Sequence, residues 1–172
     1  MPEFIPVLKK DDIGKMVADI ARKISMDYKD RDLVLIGVLK GSFVFLSDLM
    51  RNLSIPVKVD FVGISSYSDK TSSSGKIQLT KSIDIDIKNK NVLVVEDIVD
   101  SGLTLAWLID YLKSFKPDTV NICALIDKRE RRETHIQIDY SGHVVQEGFL
   151  IGYGLDYAED YRNLPEIYHL KL

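Results

Sequence analysis

Short apolar segments alternate with helical segments along this chain, and that alternation limits the possible folds more than any other feature. The segments "LVLIGVL" (33–39), "NVLVVE" (91–96) and "TVNICALI" (119–126) are apolar almost throughout and too short to be helices. Strands that are apolar on both faces are typical of parallel sheets covered by helices on each side. We therefore expect an α/β fold with a mostly parallel central sheet flanked by helices.

Apolar spacing also predicts where the remaining elements lie. Helical spacing predicts helices over 11–25 and 43–53, and a third helix that begins near "DSGLT" and buries Leu105, Leu108, Ile109 and Leu112. Two further segments are candidate strands: "VKVDFVGI" (57–64) and "FLIGYGL" (149–155).

The serine-rich segment 65–76 predicts a mobile loop or a flexible hairpin. We expect all 172 residues to form a single domain. Within it, segments 1–12 and 148–172 are expected to form a small hood over the carboxyl ends of the strands.

Composition and apolar patterning argue against several functional classes, although a local basic patch stays possible. A net charge of −3 argues against a nucleic-acid-binding surface as the main function, and the longest apolar run, 33–39, is too short to cross a membrane. The first twelve residues lack the basic and apolar regions of a signal peptide. The single cysteine, Cys123, lies in an apolar strand, which predicts a core residue and a reducing, cytoplasmic location.

The segment "VLVVEDIVDSGLTL" (92–105) carries the chemistry that the sequence shows most clearly. Three acidic residues, Glu96, Asp97 and Asp100, follow a buried strand at the end where parallel α/β sheets bind ligands. Because side chains alternate along a strand, at least one of Glu96 and Asp97 is expected to lie past the strand's regular end.

The helix start at "DSGLT" can bind phosphate. It offers unpaired backbone N–H groups, with Gly102 allowing close approach and Ser101 and Thr104 adding hydroxyls. Three carboxylates beside a phosphate need either a divalent cation or sugar hydroxyls to offset their charge. The segment therefore indicates a sugar phosphate with magnesium. The Walker phosphate loop is absent, and "GYGLDY" carries only the first two glycines of a dinucleotide-binding fingerprint.

These residues resemble a known family. "VVEDIVDSGLTL" resembles the phosphoribosyl-diphosphate (PRPP) signature of the type I phosphoribosyltransferases. The order of "VLKGS" (38–42), "SSY" (65–67), "LIDKRERR" (125–132) and "FLIGYGLDYAEDYRNLP" (149–165) resembles the bacterial hypoxanthine(-guanine) members, and the resemblance extends from about residue 8 to the end. The resemblance implies transfer of a 5-phosphoribosyl group from PRPP to hypoxanthine, and we expect guanine to be a second acceptor. The products would be IMP or GMP and pyrophosphate, and Mg²⁺ would be the cofactor.

The resemblance also implies a role for each motif residue. Asp100 is the expected general acid/base at purine N7, while Glu96 and Asp97 are expected to bind the ribose and, with Asp156, the metal. The 5′-phosphate is expected to be bound by Asp100, Ser101, Gly102, Leu103 and Thr104. Pyrophosphate is expected to be bound by Lys40, Gly41 and Arg162, with Ser42 as a further donor.

Three residues are implied at the purine. Lys128 would reach O6, Phe149 would stack on the ring, and the backbone of Leu150 would bind its edge. An ammonium at O6 favours 6-oxopurines over adenine, because an amino group cannot accept its hydrogen bond. The rest of "KRERR" is expected to be a solvated basic face. Ser66 and Tyr67 would begin a flexible loop that closes over the ribose.

Some alternatives stay open at this stage. A regulator with a PRPP-binding fold would not need Lys40, Lys128 and Arg162. A phosphoacceptor receiver domain shares a "VLVVED" strand but places its acidic pair near the chain start. Sequence alone leaves open the preference among hypoxanthine, guanine and xanthine, the choice of homodimer or homotetramer, and whether the 39–40 peptide is cis, as it is in the family.

Overall fold

The computed structural model describes residues 1–67 and 76–172. In chain order the elements are β1 (Glu3–Leu8), α1 (Lys10–Asp27), β2 (Leu33–Leu39), α2 (Phe43–Asn52), β3 (Val57–Tyr67), β4 (Lys76–Lys81), β5 (Asn91–Val99), α3 (Leu103–Lys113), β6 (Thr119–Lys128), β7 (Tyr140–Val145), β8 (Leu150–Ile151) and β9 (Ile167–Lys171). Among the described residues, no helix combines the length and apolar character needed to cross a membrane.

The central sheet has six strands in the order β4-β3-β2-β5-β6-β7. All neighbours in it are parallel except β3 and β4. Its two faces are covered separately: Leu33 and Leu35 of β2 face a core with α1 and α2, whereas Val34 and Ile36 face a core with α3. This arrangement confirms the expected α/β fold, and it explains why the central strands are apolar on both faces.

Strand β5 is longer than the sequence predicts and separates from one neighbour before the other. Its pairing with β2 stops at Val95, opposite Gly37, but its pairing with β6 continues to Val99, opposite Asp127. On the β6 side both Glu96 and Asp97 lie within the paired part of β5, so the expectation that one of them lies past the strand's end is wrong there. On the β2 side both lie beyond Val95, the last paired residue, so the expectation is right there. Both carboxylates stand where β5 has left β2, which opens a gap at the carboxyl end of the sheet.

Four strands, β1, β4, β7 and β9, were not predicted, and β3 continues to Tyr67. Ser66 and Tyr67 are therefore strand residues paired with Ile77 and Lys76, not the start of a loop. The antiparallel pairing of β3 with β4 agrees with the hairpin alternative for this segment. Positions 68–75 of the predicted loop lie outside the described residues.

A second sheet contains β1, β9 and β8 in that order. The strand expected over 149–155 is reduced to Leu150–Ile151 because the backbone then takes left-handed conformations at Gly152 (φ 94°), Tyr153 (φ 52°) and Gly154 (φ 96°). A Cβ at position 154 would clash with the carbonyl oxygen of Gly41. Glycine there lets the chain next to the second sheet pack directly on the turn that follows β2.

Candidate active site

The turn between β5 and α3 forms a small concave site. Gly102 is in the left-handed region (φ 85°) directly before α3, as a tight strand-to-helix turn requires. The first N–H groups of the helix have no partners within the helix and carry its positive dipole end. Residues 96–102, 104 and 105 line a cavity of about 240 Å³ here. The structure thus brings the predicted phosphate-binding residues, apart from the exposed Leu103, together with the acidic pair.

Asp97 of the acidic pair faces the turn after β2. Asp97 is only 8% exposed, and a Cβ at position 41 would clash with its carboxylate, so only glycine fits there. Burial raises the pKa of Glu96 well above its usual range, and the neighbouring Asp97 carboxylate adds to the shift. Two crowded carboxylates of this kind suit hydroxyl donors or a cation, either of which would offset their charge.

The turn after β2 contains the cis peptide bond that is found in the family. The peptide between Leu39 and Lys40 is cis. Ser42 is fully buried and its hydroxyl donates to the carbonyl of Val38 at 2.6 Å. The expectation that the Ser42 side chain is a free donor for pyrophosphate is therefore wrong, because that donor is used to hold the turn.

Both predicted pyrophosphate-binding cations contact one carboxylate. Lys40 Nζ is 2.7 Å from Glu159 Oε2, and Arg162 Nη2 is 3.4 Å from Glu159 Oε1. The hydrogen bond from Lys40 lowers the pKa of Glu159, with a smaller contribution from Arg162. Arg162 also pairs with Asp156 at 3.2 Å and donates to the carbonyl of Gly154 at 2.7 Å. An anionic group therefore already lies between the cations expected to bind an anionic substrate.

At the end of β6, Lys128 is nearly buried between two acids. It is 5% exposed, and its Nζ lies 3.8 Å from both Asp100 Oδ2 and Glu130 Oε2. The other Asp100 oxygen, Oδ1, is buried and accepts no hydrogen bond from the described residues. A buried acceptor without a partner is unusual in proteins, and catalytic groups are among the places where one occurs. Asp100 and Lys128 thus present an acceptor and a donor side by side.

The residues predicted to hold a purine lie on the adjoining segment. Phe149 is 48% exposed and meets Tyr157 edge-to-face, with ring centroids 5.7 Å apart. The N–H of Gly148 donates to Glu130 Oε2 at 3.3 Å, which ties this segment to the carboxylate beside Lys128. Leu150 lies in β8, the edge strand of its sheet, where backbone groups remain available for a ligand.

Sequence reasoning missed Glu130 and Glu159. Glu130 lies within the basic run "KRERR", which was assigned to a solvated face apart from Lys128. Glu159 lies three residues after Asp156, the predicted metal ligand. The one sequence signal that pointed to Glu130 was its position two residues after Lys128. For Glu159 there was none, because its partner Lys40 is 119 residues away in the chain.

A larger cavity of about 770 Å³ lies between α1, α2 and residues 162–165. Its walls are mainly apolar, and it shares only Arg162 with the predicted site residues. Size therefore does not identify the reactive site in this protein. The smaller cavity contains the clustered carboxylates and the helix start, which is where the chemistry is concentrated.

Comparisons with known proteins show which proteins this chain is similar to. Residues 7–158 match the family model described as the phosphoribosyl transferase domain. The hypoxanthine-guanine phosphoribosyltransferase of Aquifex aeolicus is 44% identical over 163 residues, covering 94% of this chain and 92% of the relative. That of Dictyostelium discoideum is 43% identical over 169 residues, covering 96% and 94% of the two chains.

A solved structure agrees with the overall architecture. The crystal structure of a hypoxanthine-guanine phosphoribosyltransferase from Bacillus anthracis superposes with a TM-score of 0.92 at 41% identity, covering 99% of this chain and all of that one. With the family model matching most of its length, this chain belongs to the phosphoribosyltransferase family.

Proposed function

We propose that this protein is a purine salvage enzyme that transfers the 5-phosphoribosyl group of PRPP to hypoxanthine and guanine, releasing pyrophosphate. The observation that carries the proposal is the Lys128–Asp100 pair, with Nζ and Oδ2 3.8 Å apart beside the phosphate-binding turn. Purine O6 and N7 lie side by side on one edge of the base. An ammonium and a carboxylate so placed can face those two atoms at once.

Each group of site residues has a separate role in the proposed reaction. Asp100 takes the proton from purine N7 as N9 attacks the ribose carbon and pyrophosphate leaves. Lys128 donates to O6 and excludes a 6-amino group. Glu96 and Asp97 accept from the ribose hydroxyls and stabilise positive charge that develops on the sugar. The backbone of residues 100–104 holds the 5′-phosphate, which fixes the sugar for in-line attack.

Magnesium fits the same carboxylates. Within residues 1–67 and 76–172, no group of three or more His, Cys, Asp and Glu side chains is placed to hold a metal ion. Mg²⁺ commonly binds through one or two carboxylates together with substrate phosphates and water. The crowded pair Glu96 and Asp97, and Asp156 near the pyrophosphate cations, match that mode. When bound, the ion would neutralise charge on the leaving pyrophosphate.

Further parts of the proposal concern organisation. We assign residues 1–172 to one domain, with 1–12 and 148–172 as a hood, although the first helix already begins at Lys10. We expect a homodimer or homotetramer acting in the cytoplasm, without nucleic-acid or membrane partners. Phe149 and the Leu150 backbone hold the purine, and Ser66 and Tyr67, the last two residues of β3, help to cover the ribose.

The direct test uses the purified protein with PRPP, Mg²⁺ and one base at a time. Chromatography should show IMP from hypoxanthine and GMP from guanine, with stoichiometric pyrophosphate and no product from adenine. Chelation of Mg²⁺ should stop the reaction. Failure to form a nucleotide from hypoxanthine, guanine or xanthine would contradict the proposal.

Glu159 should compete with pyrophosphate for Lys40 and Arg162. We expect Glu159→Gln to lower the KM for PRPP by about two- to fivefold, since an exposed ion pair is weak and must open before the substrate binds. Initial-rate kinetics over a range of PRPP concentrations would measure this.

The neighbouring exposed acid Asp160, changed to Asn, is the matched control for the general loss of negative charge. An equal change in both variants would show that only net charge matters. A higher KM in Glu159→Gln would mean that the carboxylate assists binding instead of opposing it.

A further inference from the structure

The sequence predicts that Arg132 belongs to a solvated basic face, and the structure contradicts this prediction. Its side chain is only 21% exposed, and its guanidinium bridges the ends of two strands. Nε donates to the carbonyl of Asp100 at 2.8 Å, and Nη2 contacts the carbonyl of Val99 at 3.2 Å and that of Lys128 at 3.0 Å. One side chain thus joins the backbone of the proposed proton acceptor to the backbone of the proposed O6 donor.

A buried carboxylate fixes this guanidinium in place. Asp127, the residue before Lys128, is only 6% exposed, and its Oδ1 accepts from Arg132 Nη2 at 2.6 Å. Its other oxygen is 3.2 Å from Arg129. Burying a carboxylate is costly unless it is paired and hydrogen-bonded. The pairing therefore strongly favours one position for Arg132, at the end of β6.

The chain that follows Arg132 braces the same turn. The carbonyl of Ser101 accepts from the N–H of Glu133 at 2.9 Å and from that of Thr134 at 3.3 Å. Val99 and Asp127 are direct neighbours where β5 and β6 end together. The proposed phosphate-binding turn is thus held from one side by the segment 132–134, through the Arg132 side chain and the N–H groups of Glu133 and Thr134.

We propose that Arg132, oriented by Asp127, is a positioning residue that sets the separation between the Asp100 carboxylate and the Lys128 ammonium. This inference rests on the proposed function, because it gives those two groups their roles at N7 and O6. A planar guanidinium can donate to several carbonyls in one fixed geometry, whereas an ammonium acts as a single flexible point. The position therefore requires arginine, and positive charge alone does not suffice.

Arg132→Lys separates charge from geometry. The lysine can still pair with Asp127, so the melting temperature should stay close to that of the parent protein. It cannot hold three carbonyls as the fork does. We expect kcat/KM for PRPP and hypoxanthine to fall about 10- to 100-fold, since small displacements of reacting groups have effects of this size. Most of the loss should be in kcat at saturating substrate.

Arg129→Lys is the matched control. Arg129 pairs with the same carboxylate but, among the described residues, donates no side-chain hydrogen bond to residues 99–101. Its kinetics should stay within about twofold of the parent, as is usual for an exposed ion pair. A second variant, Arg132→Gln, should lose at least as much activity per folded molecule, measured after the folded fraction is determined by circular dichroism.

The outcomes separate this inference from the proposed function. An inactive parent protein would remove both. An active parent with unchanged kcat and KM in Arg132→Lys would overturn the positioning role alone. A loss of activity that only follows the loss of folded protein would assign Arg132 to stability, and would also overturn it.

Discussion

Asp100→Asn is expected to lower kcat by about 10²- to 10⁴-fold, the contribution usual for a positioned general acid or base. The amide has the size of the carboxylate but cannot take a proton from purine N7. The backbone carbonyl of Asp100 would still accept from Arg132, and the N–H groups of the turn would still face the phosphate. Binding of PRPP should therefore be largely kept.

Steady-state kinetics with hypoxanthine and calorimetric titration with PRPP and Mg²⁺ would measure the two effects separately. Asp110→Asn, at an exposed position of α3, is the matched control and should be silent. Near-normal turnover in Asp100→Asn would remove its proton-transfer role. A loss of PRPP affinity that accounts for the whole defect would assign Asp100 to sugar-phosphate binding instead.

Lys128→Gln should produce the second large effect, on the choice of base. We expect kcat/KM for hypoxanthine to fall about 10²- to 10³-fold, because a neutral amide would replace the charged donor that we assign to purine O6, and charge-assisted hydrogen bonds are the stronger ones. Here Asp100 and Glu130 would each lose a cation 3.8 Å away. A glutamine can also turn its oxygen toward a 6-amino group. Discrimination against adenine should therefore decrease together with activity.

Competition between hypoxanthine and adenine for PRPP would measure this discrimination. Lys113→Gln, in the last turn of α3, controls for the loss of one positive charge. If Lys128→Gln lost activity with hypoxanthine but rejected adenine as strongly as the parent protein, Lys128 would serve Asp100 and not purine O6.

The central elements could be predicted from sequence because their patterns are local. Strands β2, β5 and β6 are apolar on both faces, and that pattern survives in any register. Strand β4 was missed although Ile77 and Leu79 alternate with polar residues, because its polar side chains resemble the serine-rich segment before it. The strand expected over 149–155 failed for the opposite reason. Its apolar residues suggested a strand, but Gly152 and Gly154 adopt left-handed conformations that end it.

The candidate site also has one part that could be predicted from the sequence and one part that could not. The acidic pair, Asp100 and the glycine turn are consecutive, so a strand that leads into a helix is enough to bring them together. The contacts of Glu159 with Lys40 and of Arg132 with Val99 join residues 119 and 33 positions apart. Such contacts depend on the order of strands in the sheet and on the paths of the loops, which no local periodicity encodes. The sequence was therefore sufficient to predict the turn between β5 and α3, whereas the alignment of Asp100 with Lys128 follows from strands β5 and β6 ending side by side.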